Sequence, residues 1–122
     1  MYRKAIAYCA NLTLCKVLVA GIVLAVAIEA VTILLRFGMD LESTRDTSLI
    51  GAVTFSLRIH HGYVGIAMWF AATWLFRSHP GLRNIFWFIA AALFLSDLVH
   101  HFGVLWPITG SPEFDLVYPQ MP

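Results

Sequence analysis

Residues 84–106 read NIFWFIAAALFLSDLVHHFGVLW. Asn84 to Leu95 holds no charge, and a helix over the whole stretch is roughly 34 Å long, enough to cross the hydrocarbon of a bilayer. Near its end come Asp97, His100 and His101. A charge turned toward lipid costs about 2.5–3.5 kcal/mol on insertion scales, so these side chains are expected to face protein. The stretch therefore reads as a transmembrane helix, about 84–106, with a polar interior site in its second half.

Moving toward the N-terminus, Arg77 to Arg83 forms a short turn in which Pro80 and Gly81 break the helix. Before it lies a long apolar run, 49–76, with Arg58, His60 and His61 in its first half. It is read as a second helix, about 48–77, capped by Ser43, Thr44, Thr47 or Ser48. The acidic connection 39–48 precedes it. The run Leu12 to Leu35, closed by Arg36, Phe37 and Gly38, makes a first helix, about 12–36, interrupted by Lys16 and Glu29. Its Ala25-Val26-Ala27 pattern is that of a signal cleavage site, but the segment before it is long for a signal, and the helix is read as retained.

Beyond Trp106 the tail, 107–122, holds four of the five prolines, so it is expected to be extended. It mixes Phe114, Leu116 and Tyr118 with Glu113 and Asp115, and is expected either to fold back over the mouth of the site or to dock on another protein.

The composition agrees. With 60% hydrophobic and 12% charged residues, the chain is too apolar for an ordinary soluble domain. The expected fold is a single all-α integral membrane domain, 1–122, of three transmembrane helices. A net charge of +1 gives no reason to expect nucleic acid as a partner. The basic residues Arg3, Lys4, Lys16, Arg77 and Arg83 fall on one side of a three-helix topology, and Asp40, Glu42, Asp46, Glu113 and Asp115 on the other. The positive-inside rule puts the N-terminus in the cytoplasm and the Pro-rich tail outside, in the plasma (inner) membrane. Cys9 and Cys15, on the cytoplasmic side, are read as free thiols. Trp74, Phe86 and Trp87 form the inner aromatic belt, and Trp106 and Tyr118 the outer one.

In this arrangement Glu29, Arg58, His60, His61, Asp97, His100 and His101 all fall in the outer half of the bilayer. Asp97 lies three and four residues before the two histidines of its helix, a spacing that puts carboxylate and imidazole on one face. Adjacent helical residues point about 100° apart, so no more than one histidine of each pair is expected on a given ion. The candidate ligands are His60, His61, Asp97, His100 and His101, with Glu29 as a further ligand or as acceptor to one, and Arg58 paired to Glu29 or Asp97. Imidazole and carboxylate suit copper, zinc or iron.

The leading reading is a small membrane protein with a transition-metal site, a subunit of a larger complex or a homo-oligomer. A second is a b-type haem protein for electron transfer, with bis-His ligation from helices two and three. A third is an assembly subunit whose polar cluster only holds helices together. No phosphate-binding loop, nucleophile elbow or Ser/His/Asp arrangement is present, so an enzyme is not favoured, although an open metal position activates water or oxygen. Gly62, Gly65 and Ala90 to Ala92 are expected at close helix crossings.

Overall fold

The computed structural model describes residues 2–41, 54–55 and 57–117. These are all-helical, with four helices and no strand among them: α1 (Tyr2–Ala10), α2 (Leu14–Gly38), α3 (His61–Leu75) and α4 (Pro80–Thr109). Two of them, α2 and α4, are long and apolar enough to cross a membrane.

α4 is the central element, packed by all three others. Small residues let them approach. On α2 the buried residues Val17, Gly21, Ala25 and Glu29 recur every fourth position, one stripe of an otherwise apolar cylinder. A Cβ on Gly21 would stand 3.0 Å from the Cβ of Ala91, so the α2–α4 crossing is a contact of small residues. On α3 the stripe is Gly62, Gly65 and Ala72. A Cβ on Gly65 would stand 2.7 Å from the carbonyl oxygen of Ala90, which is possible only because glycine has none. Such close crossings suit helices associating by van der Waals packing.

At the end remote from the histidines, Asn84 Nδ2 donates to the carbonyls of Cys9 (2.9 Å) and Leu12 (3.2 Å), closing off α1 and fixing the bend into α2. Thr13 caps α2, its Oγ1 accepting from Lys16 N–H at 3.4 Å. Gly81 passes against the Ile6 carbonyl, where a Cβ would collide.

The boundaries depart from expectation in four places. The short helix α1 was not foreseen. The second helix, expected over 48–77, begins at His61 and ends at Leu75; residues 42–53 and 56 of its expected span and approach lie outside the described residues. Just before it the chain is extended: Leu57 bridges Val117, and Arg58 N–H donates to the Leu116 carbonyl at 3.0 Å. An apolar run does not reveal by itself whether its backbone bonds locally or to a distant segment, and here the Arg58 N–H goes to the tail while the Leu57 N–H bonds the Thr54 carbonyl. Third, Pro80 starts α4 instead of breaking a helix, since in the first turn its missing N–H costs nothing.

Fourth, Pro107 does not end α4. Val99–Leu105 forms a π segment, and Trp106 N–H bonds the His101 carbonyl, five residues back. The widened turn takes the proline, and the helix runs on to Thr109. Gly110, at φ 79°, then stops it in the left-handed conformation. From Pro112 the described tail is non-helical, with Glu113 left-handed at φ 49°, and 118–122 lie outside the described residues.

Candidate metal centre

The site forms where α2 ends, α3 begins and α4 reaches its π segment. His60 is the extended residue before α3, at φ −78° and ψ 139°, and His61 is its first helical residue. Asp97 is on α4; His100 and His101 occupy the π segment, whose extra residue per turn swings both rings inward. His60, Asp97, His100 and His101 are all buried.

Three side chains converge. His60 Nδ1 lies 3.0 Å from His101 Nε2, and Asp97 Oδ1 lies 3.8 Å from the first and 3.7 Å from the second. These ligand atoms all fall within 4.8 Å of one another, a group able to hold a metal ion. The point equidistant from the three is about 2 Å from each, the length of a metal–imidazole or metal–carboxylate bond.

The hydrogen bonds around them define which nitrogens carry protons. A carbonyl only accepts, so His101 Nδ1–H donates to the Pro112 carbonyl at 2.6 Å and His60 Nε2–H donates to the Asp115 carbonyl at 3.1 Å. In the neutral rings the inward nitrogens, His101 Nε2 and His60 Nδ1, then carry lone pairs. Ser96 Oγ lies 3.2 Å from the Leu93 carbonyl, to which it donates, and 3.1 Å from His61 Nε2. His61 Nδ1 sits 3.2 Å from Asp97 Oδ1. Asp97 Oδ1 is buried and has no hydrogen-bond donor among the described residues. With neutral rings, acceptors face acceptors here, a conflict that a cation, whether proton or metal ion, would relieve.

Glu29 and His100 make a separate pair, His100 Nδ1–H donating to Glu29 Oε1 at 3.0 Å, while Glu29 Oε2 stays buried without a donor among the described residues. Glu29 thus meets His100 and lies outside the three-ligand group. Arg58 departs from the expected pairing. Among the described residues its carboxylate partners are Glu113 (3.9 Å) and Asp115 (3.7 Å) of the tail, not Glu29 or Asp97. It precedes α3 on an extended segment, so the helical spacing expected to put it on one face with His61 does not apply.

A cavity of about 320 Å³ adjoins the cluster, lined by His60, His61, Asp97, His100 and His101 on one wall and by Arg36, Arg58 and Glu113 on another. The tail contributes Glu113 to its lining and covers the two histidine rings. Phe114 stacks on His60, ring centroids 4.3 Å apart, and meets His101 edge-on at 5.1 Å. Ser96, Phe114 and the carbonyls of Pro112 and Asp115 were not named as site groups from the sequence. A carbonyl has no sequence signature, and only the mixture of acids and apolar residues in the tail hinted at a covering role.

Comparison with known proteins finds no matching family model, no similar curated protein and no similar solved structure. The functional reading rests on this geometry.

Proposed function

We propose that this chain is an integral membrane protein of three spanning helices that binds one transition-metal ion through His60, Asp97 and His101 in the outer half of the bilayer. The observation that carries the reading is the convergence of two imidazole lone pairs and a donor-less buried carboxylate oxygen on one point. A proton shared by the two rings would relieve the 3.0 Å nitrogen contact alone; one ion serves both nitrogens and the carboxylate oxygen together. Each ligand imidazole also gives its other N–H to a backbone carbonyl, the outer bond that orients metal-binding histidines. Nitrogen and oxygen donors without thiolate suit zinc, copper or iron. Three protein ligands leave a position for water or a small ligand, and the adjoining cavity gives it room.

An ion fits better than haem between His60 and His101. Axial nitrogens on one iron lie roughly twice a metal–imidazole bond apart, about 4 Å, with a porphyrin between them; these are 3.0 Å apart with rings edge to face.

Membrane residence is supported by the outward residues. Val23, Val26, Phe70 and Trp74 are 65%, 65%, 67% and 82% exposed, while the interior is built of glycine and alanine. Large apolar side chains outside and small ones inside are what lipid solvation favours. The 15 residues of α3 span roughly 22 Å, and the extended residues before it supply the remaining depth. Basic residues at the end opposite the site orient the N-terminus to the cytoplasm. The wide apolar face of α3 leaves space for another copy or another membrane subunit beside the lipid.

The test is elemental analysis and a visible spectrum of protein purified without added metal, followed by titration with Zn²⁺ and Co²⁺. One ion per chain, lost on His60→Ala and on His101→Ala, is the expected result. A Soret band, or failure to take up either ion, refutes it.

A further inference from the structure

We infer that the tail segment Pro112–Asp115 is a working part of the metal site: it positions both imidazole ligands, and its lifting sets how fast the ion leaves. The inference rests on the metal-binding reading above and extends it to the site's control.

Both ligand rings hydrogen-bond the tail through the nitrogen that faces away from the ion. His101 donates to the carbonyl of Pro112 and His60 to that of Asp115, so the tail backbone determines which nitrogen of each ring faces the ion. Between these two anchors Phe114 covers the rings, touching His60, His101, Tyr63 and Phe102. The same segment is clamped electrostatically. Glu113 Oε1 pairs with Arg36 at 3.2 Å, and Arg58 reaches Glu113 and Asp115. Arg58 is only 6% exposed, and its own backbone N–H holds Leu116, so this clamp is partly withdrawn from water. Glu113 adopts φ 49°, a left-handed conformation uncommon for a residue with a side chain. That conformation persists here because both of its flanks are tied down, and releasing the clamp removes the reason for it.

The consequence is reciprocal. A docked tail presents two lone pairs to the ion, and a bound ion removes the acceptor repulsion that otherwise works against docking. Arg58 is then a positioning residue for ligands it never touches.

The experiment uses the full chain in lipid nanodiscs. Hydrogen exchange of the amides at 110–117 is compared with and without Zn²⁺, and release of Zn²⁺ to a chelator is timed for the unaltered protein, Arg58→Gln, Arg58→Lys, Glu113→Gln and Phe114→Ala. Zn²⁺ is expected to slow exchange of these amides about tenfold. The Gln and Ala variants are expected to release the ion about tenfold faster, the usual scale for losing an outer-sphere partner, with Arg58→Lys closer to the unaltered rate. A protein that binds one Zn²⁺ per chain yet shows unchanged tail exchange and unchanged release overturns the inference while leaving the metal site standing. A protein that takes up no Zn²⁺ refutes both. Should a variant fail to fold, the exchange comparison on the unaltered chain still decides.

Discussion

Asp97 is 2% exposed, carries one oxygen without a donor among the described residues, and faces the lone-pair nitrogens of His60 and His101 together with Nδ1 of His61. Asp97→Asn separates a metal site from a purely structural network. The amide would place an N–H among those lone pairs, so the metal-free protein is expected to be at least as stable as the original while ion affinity falls about a hundredfold. Competition titration with a zinc indicator measures the second effect, and unchanged affinity would remove Asp97 from the ligand set. Gly62 guards the same carboxylate. A Cβ there would stand 2.6 Å from Asp97 Oδ2, so Gly62→Ala is expected to displace Asp97, weaken ion binding at least tenfold and cost about 1–3 kcal/mol of stability. At this scale the sequence named the ligand types and the Asp97 to His101 spacing. Its expectation of no more than one histidine per pair agrees with the metal-capable group, which takes His60 and His101, although His60 is extended and the 100° helical spacing does not apply to it.

Among the elements, α4 holds the others through contacts that tolerate no added atom. Gly65→Ala would set a Cβ 2.7 Å from the Ala90 carbonyl oxygen and 3.0 Å from Phe94 N, both backbone atoms unable to step aside. Separation of α3 from α4 and a loss of about 1–3 kcal/mol are expected, read from reversible unfolding in mixed micelles. Asn84→Ala leaves the Cys9 and Leu12 carbonyls without their side-chain donor, and α1 is expected to detach first, seen as faster exchange of amides 2–10. The long runs of α2 and α4 were legible because hydrophobic length is a strong signal. The start of α3, the helical role of Pro80 and the passage of α4 through Pro107 were not. Pro80 and Pro107 have no N–H to place, one standing in a first helical turn and the other just after a π segment, while before α3 the Arg58 N–H goes to the tail.

For the whole molecule the prediction concerns orientation. With the site outward, Ser111→Cys is expected to react with a membrane-impermeant thiol reagent in intact cells, whereas Cys9 and Cys15 react only after permeabilisation. The opposite pattern would invert the topology and place the cavity on the cytoplasmic side. Hydrophobic length, the scarcity of charge and the clustering of histidine with carboxylate were enough by themselves to give helices of membrane-spanning character and a polar centre, since these are sums over local composition. Which three atoms meet, which ring nitrogens are bare and what lies over them depend on chain segments as far apart as 41 and 55 residues coming within hydrogen-bond distance. No local pattern encodes such a meeting; the small-residue crossings on α4 and the return of the tail produce it.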